Sequence, residues 1–308
     1  MTGLVLFGIA LLCLFLGYSV AFTFAGVSVL IGVIVLGADL FAFMPYRIMS
    51  IMENTTMMAI PMFVFMGIVL QKTGLAERLL ESSAKLFGGI SGGVAVSTII
   101  VGALLAASTG VVGASVVAMG VISLPVMLKN NYHQPTAAGV ICAAGTLGQI
   151  IPPSIILIIL GDVMGVPVGD LFRAAVIPGV LLIVVYTLYI LILGKIKPEY
   201  CPPIEVTEDR RTILVQAVKD IFPPLLLIVT VLGSIFTGIA TPTESSAIGA
   251  VGALVLSAIY GRFSFKRVHE ISGETVKVTA MIFAVLVGAT AFSMVFSYSG
   301  SEYLVEDF

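Results

Sequence analysis

Two short stretches of this 308-residue sequence combine glycine, hydroxyl side chains and proline inside otherwise apolar segments. Residues 106–115 read AASTGVVGAS, and residues 145–154 read GTLGQIIPPS. In a membrane helix that is broken, freed carbonyls and hydroxyl oxygens bind Na⁺, and half-helix N-termini favour anions. Pro152 and Pro153 remove two backbone donors, so carbonyls about one turn earlier lose their partners. The two stretches therefore predict a site for a cation and an anion.

Each stretch also has a purely structural interpretation. Glycine and serine allow close helix packing, and prolines kink helices without binding anything. A third stretch, 238–246, places Pro242 in a first helical turn with Glu244 just inside it, which resembles a capped helix start. Asn54 precedes an apolar segment, where it is either a cap or a ligand. Packing, capping and ion binding all stay open at these positions.

The composition is that of a membrane protein. Apolar residues make up 59% of the chain and charged residues 10%, with a mean hydropathy of +1.15. A soluble globular chain carries about a quarter charged residues. Runs such as 176–193 are almost continuously apolar, unlike the alternating strands of a membrane barrel, so the predicted fold class is an all-α polytopic membrane protein. The thinly spread Lys and Arg residues exclude nucleic acid as a partner.

The topology follows from apolar length and from the basic residues. Spanning helices are predicted near 3–19, 23–43, 57–71, 137–160, 174–194, 221–238, 243–260 and 278–298. Lys and Arg cluster in the connections 72–85, 195–219 and 262–277, which the positive-inside rule puts in the cytoplasm, leaving Arg47 outside.

Segment 91–127 must then begin and end on the cytoplasmic side. It is predicted to be a re-entrant hairpin with its tip near 108–115, because non-helical backbone survives at membrane depth only under a cover of protein or water. Residues 75–87 predict an amphipathic interfacial helix.

Several chemistries are absent from the sequence. It has no GxxxxGK loop for ATP, and its cysteines lack metal-ligand spacing and are predicted to be structural. Apart from Asp39, the predicted spans lack the ionisable residues of a proton relay, so Na⁺ and an anion suit the site better than a proton. No polar catalytic group with partners lies inside a span. We therefore predict no enzyme, no catalytic residue and no cofactor, with Na⁺ as the coupling ion.

Four motifs resemble the large membrane subunit of tripartite ATP-independent periplasmic transporters, the DctM-like family. They are 59–63 (AIPMF), 102–110 (GALLAASTG), 145–154 and 238–244 (GIATPTE). Their order along the chain is more specific than any one of them alone. The resemblance implies an inverted-repeat, elevator-type transporter of the bacterial inner membrane that uses sodium to import an organic anion, such as a C4-dicarboxylate or related carboxylate. It also implies three partners: a small four-helix membrane subunit, a periplasmic substrate-binding protein and the lipid bilayer itself.

The resemblance assigns residues by motif position. The implied sodium ligands are Asn54, Gly110, Ser115, Gly148, Ile151 and Pro152, although Asn54 stands where the family commonly has Ser. The implied substrate-binding residues are Ser108, Thr109, Gly145 and Thr243.

The domain prediction has four parts. The first part consists of scaffold helices at 1–56. The second is a first repeat at 57–173, which contains a hairpin at about 91–127 and a broken helix at about 137–160. Connecting helices follow at 174–273 with a cytoplasmic linker at 195–220, and the start of a second repeat is predicted at 274–308. Because family members continue further, the chain is predicted to be C-terminally truncated, with its second repeat incomplete. The alternatives are an elevator-type symporter that needs no binding protein, a non-transporting scaffold subunit, and a membrane-embedded enzyme.

Ser115→Ala and Gly148→Ala should lower sodium-driven uptake, because the first removes a proposed sodium oxygen and the second crowds the carbonyls of the break. Cys201→Ala should leave uptake normal. Initial rates of labelled carboxylate uptake into proteoliposomes, at equal protein, measure the effect. Normal sodium-dependent rates in both site variants would sink the residue assignment.

Overall fold

The protein is helical throughout the part of the chain that the structure, a computed structural model, describes: residues 2–109, 112–204 and 209–301. Within these ranges there are thirteen α-helices and no strand, which confirms the predicted all-α class. In chain order they are α1 (Thr2–Phe15), α2 (Val20–Leu36), α3 (Met44–Met52), α4 (Ala59–Lys72), α5 (Leu75–Phe87), α6 (Gly93–Thr109), α7 (Val112–Lys129), α8 (Gln134–Thr146), α9 (Ile155–Met164), α10 (Val168–Ile196), α11 (Arg210–Phe236), α12 (Pro242–Ile259) and α13 (Phe265–Tyr298).

The helices α10 to α13 are the long apolar elements of the fold. Within the described residues, these four are long and apolar enough to cross a membrane, and segments 38–52 and 56–72 qualify together as a fifth, broken span. The chain is therefore a multi-pass membrane protein.

The chain divides into two compact units. The first consists of residues 1–57 and 276–308, and the second consists of residues 58–275. The four-part division into scaffold, first repeat, connecting helices and second repeat stays a prediction.

In the first unit, α2 lies along the C-terminal part of α13. A Cβ atom at Gly288 would come within 2.6 Å of the Ala21 carbonyl oxygen, so the two helices meet where one has no side chain. The rings of Phe24 and Phe292 lie 5.1 Å apart between their centroids. Close backbone approach and aromatic contact together hold this pair of helices.

The predicted span 23–43 is wrong as a single helix. α2 ends at Leu36, and Gly37 follows with a φ of 87°, a left-handed value that glycine adopts without strain. A 3₁₀ turn, Ala38–Phe43, and then α3 continue the chain.

In the second unit, α4 packs along α12, and α5 packs against α6 and α11. α5 is the predicted amphipathic helix: Leu75, Leu79 and Leu80 are buried, whereas Glu77 and Glu81 are exposed. Its apolar face is thus covered by protein.

A buried carboxylate joins α5 to α11. α11 begins at Arg210 rather than near 221, which places Asp220 inside the helix with 4% of its surface exposed. The Ser82 hydroxyl of α5 donates to Asp220 Oδ2, and Gln216 Nε2 donates to the same oxygen at 2.9 Å. The interpretation that Asp39 is the one acidic residue within the spans is wrong on two counts, because Glu244 lies within the predicted span 243–260 and because helix α11 also contains Asp220.

The connection between α10 and α11 is anchored to neighbouring helix ends. Cys201 is fully buried, and its carbonyl accepts the Gly92 N–H at 2.9 Å. The Tyr200 carbonyl accepts the His133 N–H at 3.1 Å, and the two rings stack with centroids 4.3 Å apart. Burial raises the pKa of the Cys201 thiol. Burial is also the main cause that raises the pKa of Tyr132 to about 12, and the electrostatic effect of the nearby Cys201 is the second. Both side chains are neutral at pH 7, as expected of a structural cysteine.

Asp220→Ala should lower the free energy of unfolding by about 2 kcal/mol, because it leaves a buried hydroxyl and an amide without their acceptor. Asp220→Asn keeps one acceptor oxygen and should lose less. Thermal unfolding of the purified protein in detergent measures both, with Glu199→Ala, an exposed carboxylate, as the control. Equal midpoints for Asp220→Ala and Glu199→Ala would contradict this account.

Candidate ion and carboxylate site

The helix predicted at 137–160 is broken, as expected. α8 ends at Thr146, a 3₁₀ turn covers Leu147–Gln149, and α9 begins at Ile155. The Leu147 carbonyl accepts the N–H groups of Ile150 at 3.1 Å and of Ile151 at 3.0 Å. The α-helix is therefore interrupted between Thr146 and Ile155, in the segment that contains the two consecutive prolines.

The prolines leave carbonyl oxygens free of helical donors. Pro152 and Pro153 have no N–H, so the carbonyls of Gly148 and Gln149 lack the donor that a regular helix supplies four residues later. The Gln149 carbonyl instead accepts the Ser154 hydroxyl at 2.7 Å. Ser154 was not predicted as a site residue, and here it bridges the two sides of the break.

The break is enclosed by protein. Gly148, Pro152 and Ser154 are buried, whereas Ile151 is half-buried. The 3₁₀ turn contacts α6, α7 and α10. A Cβ atom at Gly179 of α10 would meet Ile151 Cγ1 at 3.0 Å, so α10 lies close to this segment.

The predicted hairpin consists of α6 and α7, which contact each other and α8. A Cβ atom at Gly102 of α6 would lie 2.6 Å from Ala144 Cβ, and one at Gly145 would lie 2.9 Å from Val116 Cα of α7. Because glycine has no side chain, Gly102 and Gly145 allow α8 to pack closely against both hairpin helices. Gly145 has a clear packing role, and its contact with substrate stays a prediction.

Ser115 lies on α7 beside Val116, and it is 3% exposed. Because α7 contacts both α8 and the 147–149 turn, the fold brings the helix of Ser115 against the break. Gly110 lies outside the described residues, as do the side chains of Ser108 and Thr109. Of the predicted hairpin tip at 108–115, the described part is therefore the helical backbone of 108–109 and 112–115.

Oxygen atoms are the ligands that this region offers. Residues 91–128 and 134–161 contain no Asp, Glu, Lys, Arg or His. In the part of the chain that the structure describes, no three His, Cys, Asp or Glu residues form a group that could hold a metal ion. Carbonyl and hydroxyl oxygens at a helix break are donors of the kind that hold Na⁺ in membrane transporters.

The same residues lie within a known family. Residues 7–308 match the family described as the tripartite ATP-independent periplasmic transporter, DctM component. The chain belongs to this family. Its members are transporter components rather than enzymes, which confirms the prediction that the protein is not an enzyme.

Curated relatives in the DctM family carry three different substrate names. The chain is 32% identical over 271 residues to the C4-dicarboxylate TRAP transporter large permease protein DctM of Pseudomonas aeruginosa, covering 88% of this chain and 62% of that protein. It is 28% identical over 257 residues to the sialic acid TRAP transporter large permease protein SiaM of Vibrio cholerae, covering 83% and 59%. It is 29% identical over 254 residues to the ectoine TRAP transporter large permease protein TeaC of Halomonas elongata, covering 82% and 58%. The chain thus spans about six tenths of the length of these DctM-family proteins.

Asn54 belongs to the first unit, in the break between α3 and the 3₁₀ turn Thr56–Met58. Its Oδ1 accepts the Thr56 N–H at 2.9 Å, and its carbonyl accepts the Met57 N–H at 3.2 Å. These bonds fit the capping interpretation of Asn54. Its role as a sodium ligand in a DctM-family site stays a prediction.

Thr243 lies in the first turn of α12 and is partly exposed. The predicted cap is confirmed at the start of α12, where Thr241 Oγ1 accepts the Glu244 N–H at 3.3 Å and Glu244 Oε2 accepts the Thr241 N–H at 2.8 Å. α12 packs on α4 and α11, whereas Ser115 and Gly145 lie where α7 packs on α8. The proposed contact of Thr243 with substrate stays a prediction.

Gly145→Ala should impair sodium-dependent uptake and destabilise the protein by about 1–3 kcal/mol, because the new methyl group overlaps backbone atoms of α7. Gly139→Ala is the matched control on the same helix, since a Cβ atom there meets nothing within 4 Å. That change should be neutral or stabilising by up to about 1 kcal/mol. Thermal unfolding and uptake rates measure both variants, and equal behaviour would argue against the close α7–α8 contact.

Proposed function

We propose that the protein is the large membrane subunit of a sodium-driven secondary transporter that imports an organic anion across the bacterial inner membrane. Membership of the DctM family over residues 7–308 is the observation that carries this proposal. The partners are a small membrane subunit of four helices and a periplasmic substrate-binding protein that delivers the substrate.

The coupling ion is Na⁺. The support for sodium is the enclosed break at 147–154, where proline removes helical donors and leaves backbone oxygens in a segment without charged side chains. Gly148, Ile151, Pro152 and Ser115 supply or border these oxygens, and Gly110 and Asn54 are further ligands that the family resemblance alone implies. A proton-driven mechanism would instead need an ionisable side chain in the same place.

The substrate is a carboxylate, with C4-dicarboxylates as the first candidates. C4-dicarboxylates, sialic acid and ectoine, named for three relatives, each carry a carboxylate group. Ser108 and Thr109 at the hairpin tip, with Gly145 and Thr243, are the proposed contacts. The binding protein then selects among carboxylates, while the membrane subunit recognises what they share.

The proposed mechanism is an elevator. The first repeat, at 57–173, holds the hairpin and the broken helix, and it moves with the second repeat against scaffold helices at 1–56 and 174–273. Hairpins and broken helices from inverted repeats bring half-helix termini and free carbonyls to one substrate site.

Uptake of labelled succinate, sialic acid and ectoine into proteoliposomes tests this function. The vesicles hold the full-length subunit with its small partner, and each compound is measured with and without an inward sodium gradient and the binding protein. Uptake that requires both is the expected result. Uptake that needs sodium alone would favour a symporter without a binding protein, and no uptake of any of the three compounds would favour a scaffold role.

A further inference from the structure

Two cavities in the first unit lie between α3 and α13. The one toward the C-terminal end of α13 has a volume of about 440 Å³ and is bordered by Tyr46, Arg47, Ser50 and Tyr298. With Thr290, its lining carries a guanidinium and four hydroxyl groups. We call it the polar cavity.

The second cavity, of about 580 Å³, is lined by Ala21, Phe22, Ile48, Met52 and Phe283, with Ala25, Ala284, Val287 and Gly288. It carries no charged or hydroxyl side chain, and we call it the apolar groove. Phe22 and Met52 are 80% and 65% exposed, so the groove opens to the surroundings of the helices. In a multi-pass membrane protein those surroundings are lipid or other helices.

Both cavities follow one face of α13. Phe283 and Val287 line the apolar groove, and Thr290, Met294 and Tyr298 line the polar cavity. These positions are separated by three or four residues, which is the spacing of one helix face. From Phe283 to Tyr298 the helix rises by roughly 22 Å, which is about three quarters of a hydrocarbon core about 30 Å thick.

The charge in the polar cavity is positive. Arg47 lines it, whereas neither Asp39 nor Glu53, the acidic residues among the described positions of this unit, does so. The Thr290 hydroxyl donates to the Leu286 carbonyl at 2.8 Å, so the donors left for a ligand are those of Arg47, Ser50 and the two tyrosines. A planar guanidinium flanked by hydroxyl groups suits a phosphate oxygen.

We propose that this face of α13 binds one phospholipid of the outer leaflet, with its phosphate at Arg47 and an acyl chain in the apolar groove. The order of the two cavities along α13 matches the order of headgroup and chain in a lipid. The predicted positive-inside topology places Arg47 on the outer side, which is the side of the outer-leaflet headgroups. The two tyrosines then lie at the headgroup level, which is their preferred depth in membranes.

Native mass spectrometry of the intact subunit with its small partner tests the site. The wild-type complex should keep one phospholipid after detergent extraction. Arg47→Ala should lower its occupancy about tenfold, the loss of one charge-assisted contact, and Arg47→Lys should lower it less. Ala284→Phe should also lower it, because a ring at this exposed position fills the groove.

Two control variants carry comparable changes elsewhere in the same unit. Lys277→Ala removes a positive charge from the other part of α13, and Ile34→Phe places a ring on an exposed position of α2 that lines neither cavity. Both should keep the lipid. Retention of the lipid by Arg47→Ala and Ala284→Phe at the wild-type level would overturn the proposal.

Add-back to delipidated protein identifies the ligand. Phosphatidylglycerol should raise the unfolding temperature of the wild type but not of Arg47→Ala, and diacylglycerol with the same chains should give a smaller rise. An equal rise with inorganic phosphate alone would make this a free-anion site, and an equal rise with succinate would make it a substrate site. A wild-type complex without lipid, with the partner subunit cross-linked to the groove, would assign the face to that subunit. Each of these three outcomes overturns the lipid proposal.

Discussion

Backbone polar groups in an apolar surrounding need partners, and hydrocarbon supplies none. Pro152 and Pro153 create this need at 147–154, because they remove donors from the middle of a membrane segment. The protein meets it partly with the Ser154 hydroxyl, which bonds to the Gln149 carbonyl at 2.7 Å. It also encloses the break with the hairpin helices α6 and α7 and with α10. These contacts cover much of the break, and its carbonyl oxygens are the ones that we propose as ion ligands.

Enclosure requires very close helix packing, and glycine makes that packing possible. Gly102 meets Ala144, and Gly145 meets Val116, at distances that no larger residue would allow. The glycines and serines that suggest a site in the sequence thus serve packing as well. The packing interpretation is therefore confirmed at Gly102 and Gly145, and the binding interpretation stays a prediction.

Structural features that depend on residues close together in the sequence were predictable. The double proline predicts the broken helix, the alternation of leucine and charge predicts α5, and Pro242 with Glu244 predicts the capped start of α12. These depend on donors, periodicity and side chains within a few residues of each other.

Features that depend on tertiary contacts were not predictable. Asp220 was missed because apolar length alone starts the span at 221, whereas Ser82 of α5 and Gln216 satisfy the carboxylate and let the helix begin at Arg210. Likewise, nothing in the sequence assigns Val116 as the neighbour of Gly145. The two cavities beside α13 also arise only when α2 and α3 fold onto it.

Hydrogen–deuterium exchange of the intact complex tests most directly whether the break at 147–154 binds sodium. The amides of Ile150 and Ile151 are the probes, since both donate to the Leu147 carbonyl within the break. Exchange is compared in sodium and in potassium at equal ionic strength. Slower exchange of this segment in sodium, abolished by Gly148→Ala, is the predicted result. Equal exchange in both salts, in a preparation that still performs sodium-driven uptake, would contradict the account.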